Sequence, residues 1–288
     1  ELQKYMSKTF YFFVFGNDEA IRENITEIVN EFKDFGFIKK EKDNIELTTL
    51  GKKVCLLYID PLSANNIIND INIKDYKQIT MLEKLFTLCN TSECYPYLTI
   101  KKDKEEKLFE TFEKIKENVF FDYEDLNLIE KVGLAELFCD WLDEMPEDKI
   151  VEKHNTTPGQ LQDFVNKAIW INHCVLELIK VNKNNLKLYK EYLDLETQLK
   201  YGVKKELLPL VELKNIGRVR ARKLFDNGIT GVSDIKKEPD KFISIVGRIG
   251  LETLKELKIE YSENHKIAEQ KKNIKTQTNI FDYWWNLK

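Results

Sequence analysis

The sequence predicts a mainly α, multidomain protein: a winged-helix domain, a helical bundle, a helix-hairpin-helix domain and a flexible C-terminal tail. Three observations predict it. Apolar residues recur at helical spacing through most of positions 17–199, interrupted by short polar or Pro-containing links. A two-stranded signal occupies residues 37–47. The stretch Val211–Ile229, VELKNIGRVRARKLFDNGI, reads as helix, tight hairpin, helix. The expected domain limits are 1–62, 63–200, 201–261 and 262–288.

Residues 1–16 are rich in aromatics and are expected to form an entry helix that packs on the adjoining domain. Ile21, Ile25, Ile28, Val29 and Phe32 give residues 17–35 an amphipathic helix, capped by Asn17 or Asp18 and stopped by Gly36. Phe37-Ile38, a polar turn at 39–44, and Ile45 with Leu47 form the predicted wing, followed by a helix over 52–58. Asp60-Pro61 reads as a break. Bundle helices are expected at 64–71, 77–88, 105–119, 127–144, 158–180 and 186–199. Thr157-Pro158 supplies a cap and a first-turn proline for the fifth of these. On that helix Trp170 and Asn172 lie about 200° apart, so they cannot both face one core.

The chain has 288 residues, 33% of them charged, and a net charge of −4, so a nucleic-acid partner must be argued from local patches. No apolar run is long enough to span a bilayer, and no signal peptide is visible, so the expected location is cytoplasmic. Cys55, Cys89, Cys94, Cys139 and Cys174 read as reduced core residues, and no metal site is expected. Asp18-Glu19-Ala20-Ile21 and Leu50-Gly51-Lys52-Lys53 hint at ATPase boxes. The phosphate loop G-x-x-x-x-G-K-[ST] has no match, so no ATP hydrolysis is expected from these residues. The first residue is Glu1 rather than Met, which fits a longer parent chain.

Arginine is scarce. Arg22, Arg218, Arg220, Arg222 and Arg248 are the whole set, and three of the five fall within the hairpin stretch. A guanidinium holds a phosphate through two hydrogen bonds, and the amides of a glycine turn opening a helix attract an anion. Lys214, Gly217, Arg218, Arg220, Arg222 and Lys223 therefore form the candidate DNA-binding set, a clamp that grips phosphate without reading sequence. Gly217 is assigned the sharp turn, and Val219, Leu224 and Phe225 the packing. A second, weaker hairpin is expected at 245–250, with structure as its role at least as much as binding. Residues 262–278 are lysine-rich without apolar period and read as a flexible linker. Gln277, Ile280, Tyr283 and Trp284 close the chain in the spacing Q-x-x-I-x-x-Y-W, which resembles the peptide that docks on the sliding DNA clamp (PCNA).

In this order of modules the chain resembles the C-terminal half of the archaeal superfamily-two DNA repair helicases of the Hjm type, relatives of the animal HELQ helicase. The resemblance rests most on residues 56–64, LLYIDPLSA, and on the Gly-Arg-Val-Arg-Ala-Arg core of Leu213–Ile229. It implies two ATPase lobes upstream, using ATP and Mg, and a bundle that closes around single-stranded DNA. A ratchet helix in that bundle would stack a base on a tryptophan, matched by Trp170. The family often has a basic residue two turns before that tryptophan. Here Gln162-Asp163 stands there, and Lys167 is the expected substitute. The expected function is the DNA-handling part of an ATP-dependent 3′–5′ helicase acting on single-stranded and branched DNA in repair, as a monomer tethered to the clamp. A stand-alone DNA-binding adaptor without a motor is the alternative, and an RNA-processing helicase a weaker third. An upstream phosphate loop in the reading frame separates the first two.

Overall fold

A computed structural model describes residues 2–15, 18–41, 44–74, 79–181, 186–259 and 261. The chain divides into two compact units, Glu1–Lys204 and Lys205–Lys288.

The first unit opens with α1 (Leu2–Met6) and α2 (Phe10–Phe15). The leading segment is thus two short helices rather than one; α1 contacts α3, whereas α2 does not pack as expected. None of α2 is buried, and Phe13 is 82% exposed. The Ser7–Thr9 turn divides it, with Ser7 and Thr9 hydroxyls bonded to the carbonyls of Lys4 and Met6. Helix α3 (Asp18–Asp34) ends where the Gly36 and Phe37 amides reach back to the Lys33 and Phe32 carbonyls. Strands β1 (Ile38–Glu41) and β2 (Asn44–Leu47) come next as an antiparallel pair in the register Ile38 to Leu47, Lys39 to Glu46 and Lys40 to Ile45. They extend well into the polar segment expected as a turn. Apart from the buried Ile38 the hairpin is largely exposed and needs no apolar alternation, and Lys39 opposite Glu46 sets unlike charges across the ladder.

Helix α4 (Thr49–Leu57) passes close to the backbone of Phe37, just before β1. A Cβ on Gly51 would stand 2.0 Å from the Phe37 carbonyl oxygen, so only glycine fits there. Asp60-Pro61 is no break. Asp60 Oδ1 accepts from the amides of Leu62 and Ser63 at 2.8 and 3.3 Å, and Pro61 opens α5 (Pro61–Ile73). The bundle continues with α6 (Met81–Cys89), α7 (Lys102–Glu113), α8 (Leu128–Leu142), α9 (Glu147–His154), α10 (Pro158–Val181) and α11 (Leu186–Tyr201). Helix α7 stops short of the expected position 119 and gives way to a 3-10 turn at 116–118. Helix α9 was not anticipated, because its sequence EDKIVEKH buries only Ile150. Thr157 caps α10, with Thr157 Oγ1 accepting from the Gln160 amide while Gln160 Oε1 accepts from the Thr157 amide. Helix α10 lies at the centre, in contact with α4, α5, α6, α9 and α11.

A buried polar network joins the helices around this core. Lys74, fully enclosed, donates to Asp70 Oδ2 and Thr87 Oγ1 and, at 2.8 Å, to the Glu83 carbonyl. Burial pushes its ammonium pKa down, against the opposing pull of Asp70. Asp70 also accepts from the Phe120 amide, and Tyr192 of α11 donates to Thr87 at 3.0 Å. Four of the five cysteines are buried or half-buried. Cys55 is exposed, against expectation, and all five are free thiols.

The second unit carries α12 (Leu208–Val211), α13 (Arg218–Asp226), α14 (Val232–Lys237), α15 (Pro239–Val246) and α16 (Gly250–Glu256). Ile216, Ala221, Leu224, Ile235, Phe242 and Leu254 fill its core. The expected second hairpin is the turn between α15 and α16, closed by the Gly250 amide on the Gly247 carbonyl at 3.0 Å. Among the described residues no helix is long and apolar enough to cross a membrane.

Candidate nucleic-acid interface

The turn into α13 is built differently from expectation. Gly217 has φ −96° and ψ −179°, ordinary extended backbone, and a Cβ there would meet nothing within 4 Å. The left-handed residue is Asn215, at φ 64°. Its short side chain tolerates that conformation and donates to Glu252 Oε2 at 3.0 Å. Thr253 Oγ1 donates to the Lys214 carbonyl at 2.7 Å, so α16 holds the turn from behind. Helix α13 has no side-chain cap. The dipole at a helix N-terminus favours an anion. At the far end Gly228 takes φ 79° and closes the helix, as its sequence position suggested.

The arginines do not share one face. Arg218 and Arg222 are four residues apart and project from one side, while Arg220 and Lys223 share another about 200° round from Arg218. Arg220 Nη1 donates to the Asn215 carbonyl at 3.0 Å, which places its guanidinium at the turn. Arg222 is committed within the protein: Nη2 lies 2.9 Å from Glu206 Oε1, Nη1 3.6 Å from Asp226, and the guanidinium stacks on Phe225 at 5.3 Å. Lys214 and Lys223 are exposed. Val219, expected to pack, is 66% exposed, because the buried face runs through Ala221 and Leu224 and Val219 stands about 200° from Ala221.

In the first unit, Trp170 lies on α10 and is 37% exposed, while Asn172 is fully buried and donates to the Tyr192 carbonyl at 3.0 Å. Lys167, one turn before Trp170, sits 3.0 Å from Asp163 and donates to the Tyr95 carbonyl at 3.1 Å. That bond brings in Tyr95, 69% exposed, which sequence reasoning missed. It lies just after a 3-10 turn at 92–94 in a segment without periodicity, and only its pairing with Lys167 in space marks it. Gln277, Ile280, Tyr283 and Trp284 lie outside the described residues. Among the described residues no group of His, Cys, Asp and Glu could hold a metal ion.

The family model described as archaeal helicase, domain 4, matches residues 82–202, the span that contains Trp170 and all of α10. The chain is 34% identical, over 91% of its length, to the ATP-dependent DNA helicase Hel308 of Methanococcus vannielii. It belongs to the Hel308-like archaeal helicases. Relatives of the same name in Methanocaldococcus jannaschii and Thermococcus kodakarensis are 33% and 28% identical over 91% and 98% of the chain. This Hel308-like chain spans well under half the length of these relatives, 40%, 21% and 26% respectively.

Proposed function

We propose that the chain is the DNA-handling portion of an ATP-dependent 3′–5′ DNA helicase that works on single-stranded and forked DNA in repair. The single observation that carries this reading is Trp170, an exposed indole on the central helix of the unit, inside the span matched by a helicase domain model. An aromatic face stacks on any base, contributes about 1–3 kcal/mol per base and is indifferent to sequence, which is what a strand-translocating protein requires. Lys167, one turn before Trp170, would hold the backbone, and Tyr95, whose carbonyl Lys167 reaches and whose side chain is exposed, is a candidate to meet a neighbouring base.

In the second unit, read as a helix-hairpin-helix domain, the uncapped amides of α13 with Arg218, Arg220 and Lys223 would grip phosphate. Arg222 would join after exchanging Glu206 for a phosphate. The α3, β1–β2 and α4 elements are read as a winged helix. ATP and Mg belong to motor lobes outside these residues, and the segment from Gln277 to Trp284 is read as a peptide for the sliding clamp. The similarity to proteins named DNA helicases supports DNA as partner.

The test is fluorescence anisotropy of a labelled single strand with the 288-residue chain across a salt series. Trp170→Ala is expected to weaken binding about fivefold to a hundredfold, by the same factor at every salt concentration. A loss that vanishes at high salt would overturn the stacking role.

A further inference from the structure

We propose that the pocket between α7, α8 and α9 docks an acidic peptide that inserts one bulky apolar side chain. The pocket holds about 180 Å³, room for a single large side chain and less than the roughly 300 Å³ of a typical small-molecule site. Ile100, Leu108 and Gly133 line it, and the missing Cβ of Gly133 lets Ile100 pack closely: a Cβ there would stand 2.7 Å from Ile100 Cδ1. Lys101, Lys104, Lys107 and Lys153 line it as well. Lys101 precedes α7 as its N-cap, and Lys104 and Lys107 are neighbours three apart on the helix.

The walls are held in place without a ligand. Lys104 donates to the Lys153 carbonyl and ties the start of α7 to the end of α9. Lys153 Nζ and His154 Nε2 both meet Asp140 Oδ2 at 2.6 Å, anchoring α9 to α8. The one carboxylate lining the pocket, Glu136, accepts from Thr111 at 2.9 Å. The lining therefore has an excess of positive charge beside aliphatic side chains. Ammonium groups suit carboxylates as point charges, and a preformed cavity lowers the ordering cost of binding. No arginine lines the pocket, and the one ring that does, the His154 imidazole, is largely buried and held on Asp140 Oδ2, so a nucleobase would find no free stacking partner. Charge complementarity with an apolar floor favours an acidic peptide.

The probe is a fluorescein-labelled peptide Asp-Asp-Asp-Asp-Phe, titrated by anisotropy into the full 288-residue chain at low salt. Saturable binding is expected. Replacing the peptide's Phe by Ser should weaken it about tenfold to a hundredfold, the worth of one buried aromatic side chain. Lys101→Glu with Lys107→Glu should weaken it about tenfold or more, with an unchanged thermal melt because both lysines are exposed. Three results would overturn the proposal: no binding by the unaltered chain, equal binding of the Ser peptide, or unchanged binding in the double variant. An oligothymidylate that loses as much affinity as the peptide in the double variant would reassign the surface to nucleic acid and overturn it too.

Discussion

Gly217 shows what a single residue contributes at the interface. Its backbone angles suit any residue, and the space where a Cβ would stand is empty. Gly217→Ala should therefore change stability by no more than about 0.5 kcal/mol in a denaturant melt. If a phosphate approaches the α13 amides, the same substitution should still weaken single-strand binding severalfold, because the methyl group stands where the ligand comes in. Unchanged affinity would remove the backbone from the site. The arginines divide by their present partners. Arg220→Ala should flatten the slope of log affinity against log salt by roughly 0.7, the value of one phosphate contact on a single strand. Arg222→Ala should flatten it less, since Arg222 must first leave Glu206. Equal slopes in the native chain and both variants would rule out the clamp.

Between elements, two polar arrangements hold the bundle. Lys74 at the end of α5 is the cation on which Asp70 and Thr87 converge. Lys74→Met would leave the Asp70 carboxylate buried without its counter-charge, and a loss of about 3–5 kcal/mol in chemical unfolding is expected. A loss under about 1 kcal/mol would mean that the core relaxes around the change. Helix α4 is tied to α10 through Glu177, which lies 2.7 Å from Lys53 and 2.5 Å from Lys180. Hydrogen bonds from Lys180 and Lys53 hold its carboxyl pKa down to about 2, below the ordinary 4.5. The folded state thus binds this proton less readily than the unfolded chain. The stabilisation is complete above about pH 5 and is lost as pH falls toward about 2. The gap in melting temperature between the native chain and Glu177→Gln should be open near neutrality and closed by about pH 2. A gap that persists at acid pH would show that Glu177 acts by packing rather than by charge.

For the whole molecule, each compact unit has its own apolar core, and the candidate grips lie one in each: Trp170 in the first, the α13 turn in the second. Affinity for a long single strand should exceed that of either grip alone, because tethered sites raise each other's effective concentration. The terminal segment, read as a sliding-clamp peptide, carries a separate prediction. Removing residues 277–288 should abolish sliding-clamp binding in a pull-down and leave single-strand affinity unchanged. Clamp binding by the truncated chain would exclude the tail as the tether.

Much of this architecture was legible along the chain. Helical periodicity located α3, α8, α10 and α11, and Thr157-Pro158 marked the start of α10. Arginine scarcity drew attention to 218–222, and the 200° offset between Trp170 and Asn172 foretold that one faces outward. These are local properties, determined by spacing, capping and composition within a few turns of backbone. The pocket lined by Lys101 and Lys153, the closeness of Tyr95 to Lys167, the pairing of Arg222 with Glu206 and the left-handed turn at Asn215 were decided by tertiary structure alone. Each depends on residues from different elements or on which member of a turn absorbs the strain, and spacing along one element carries no information about either.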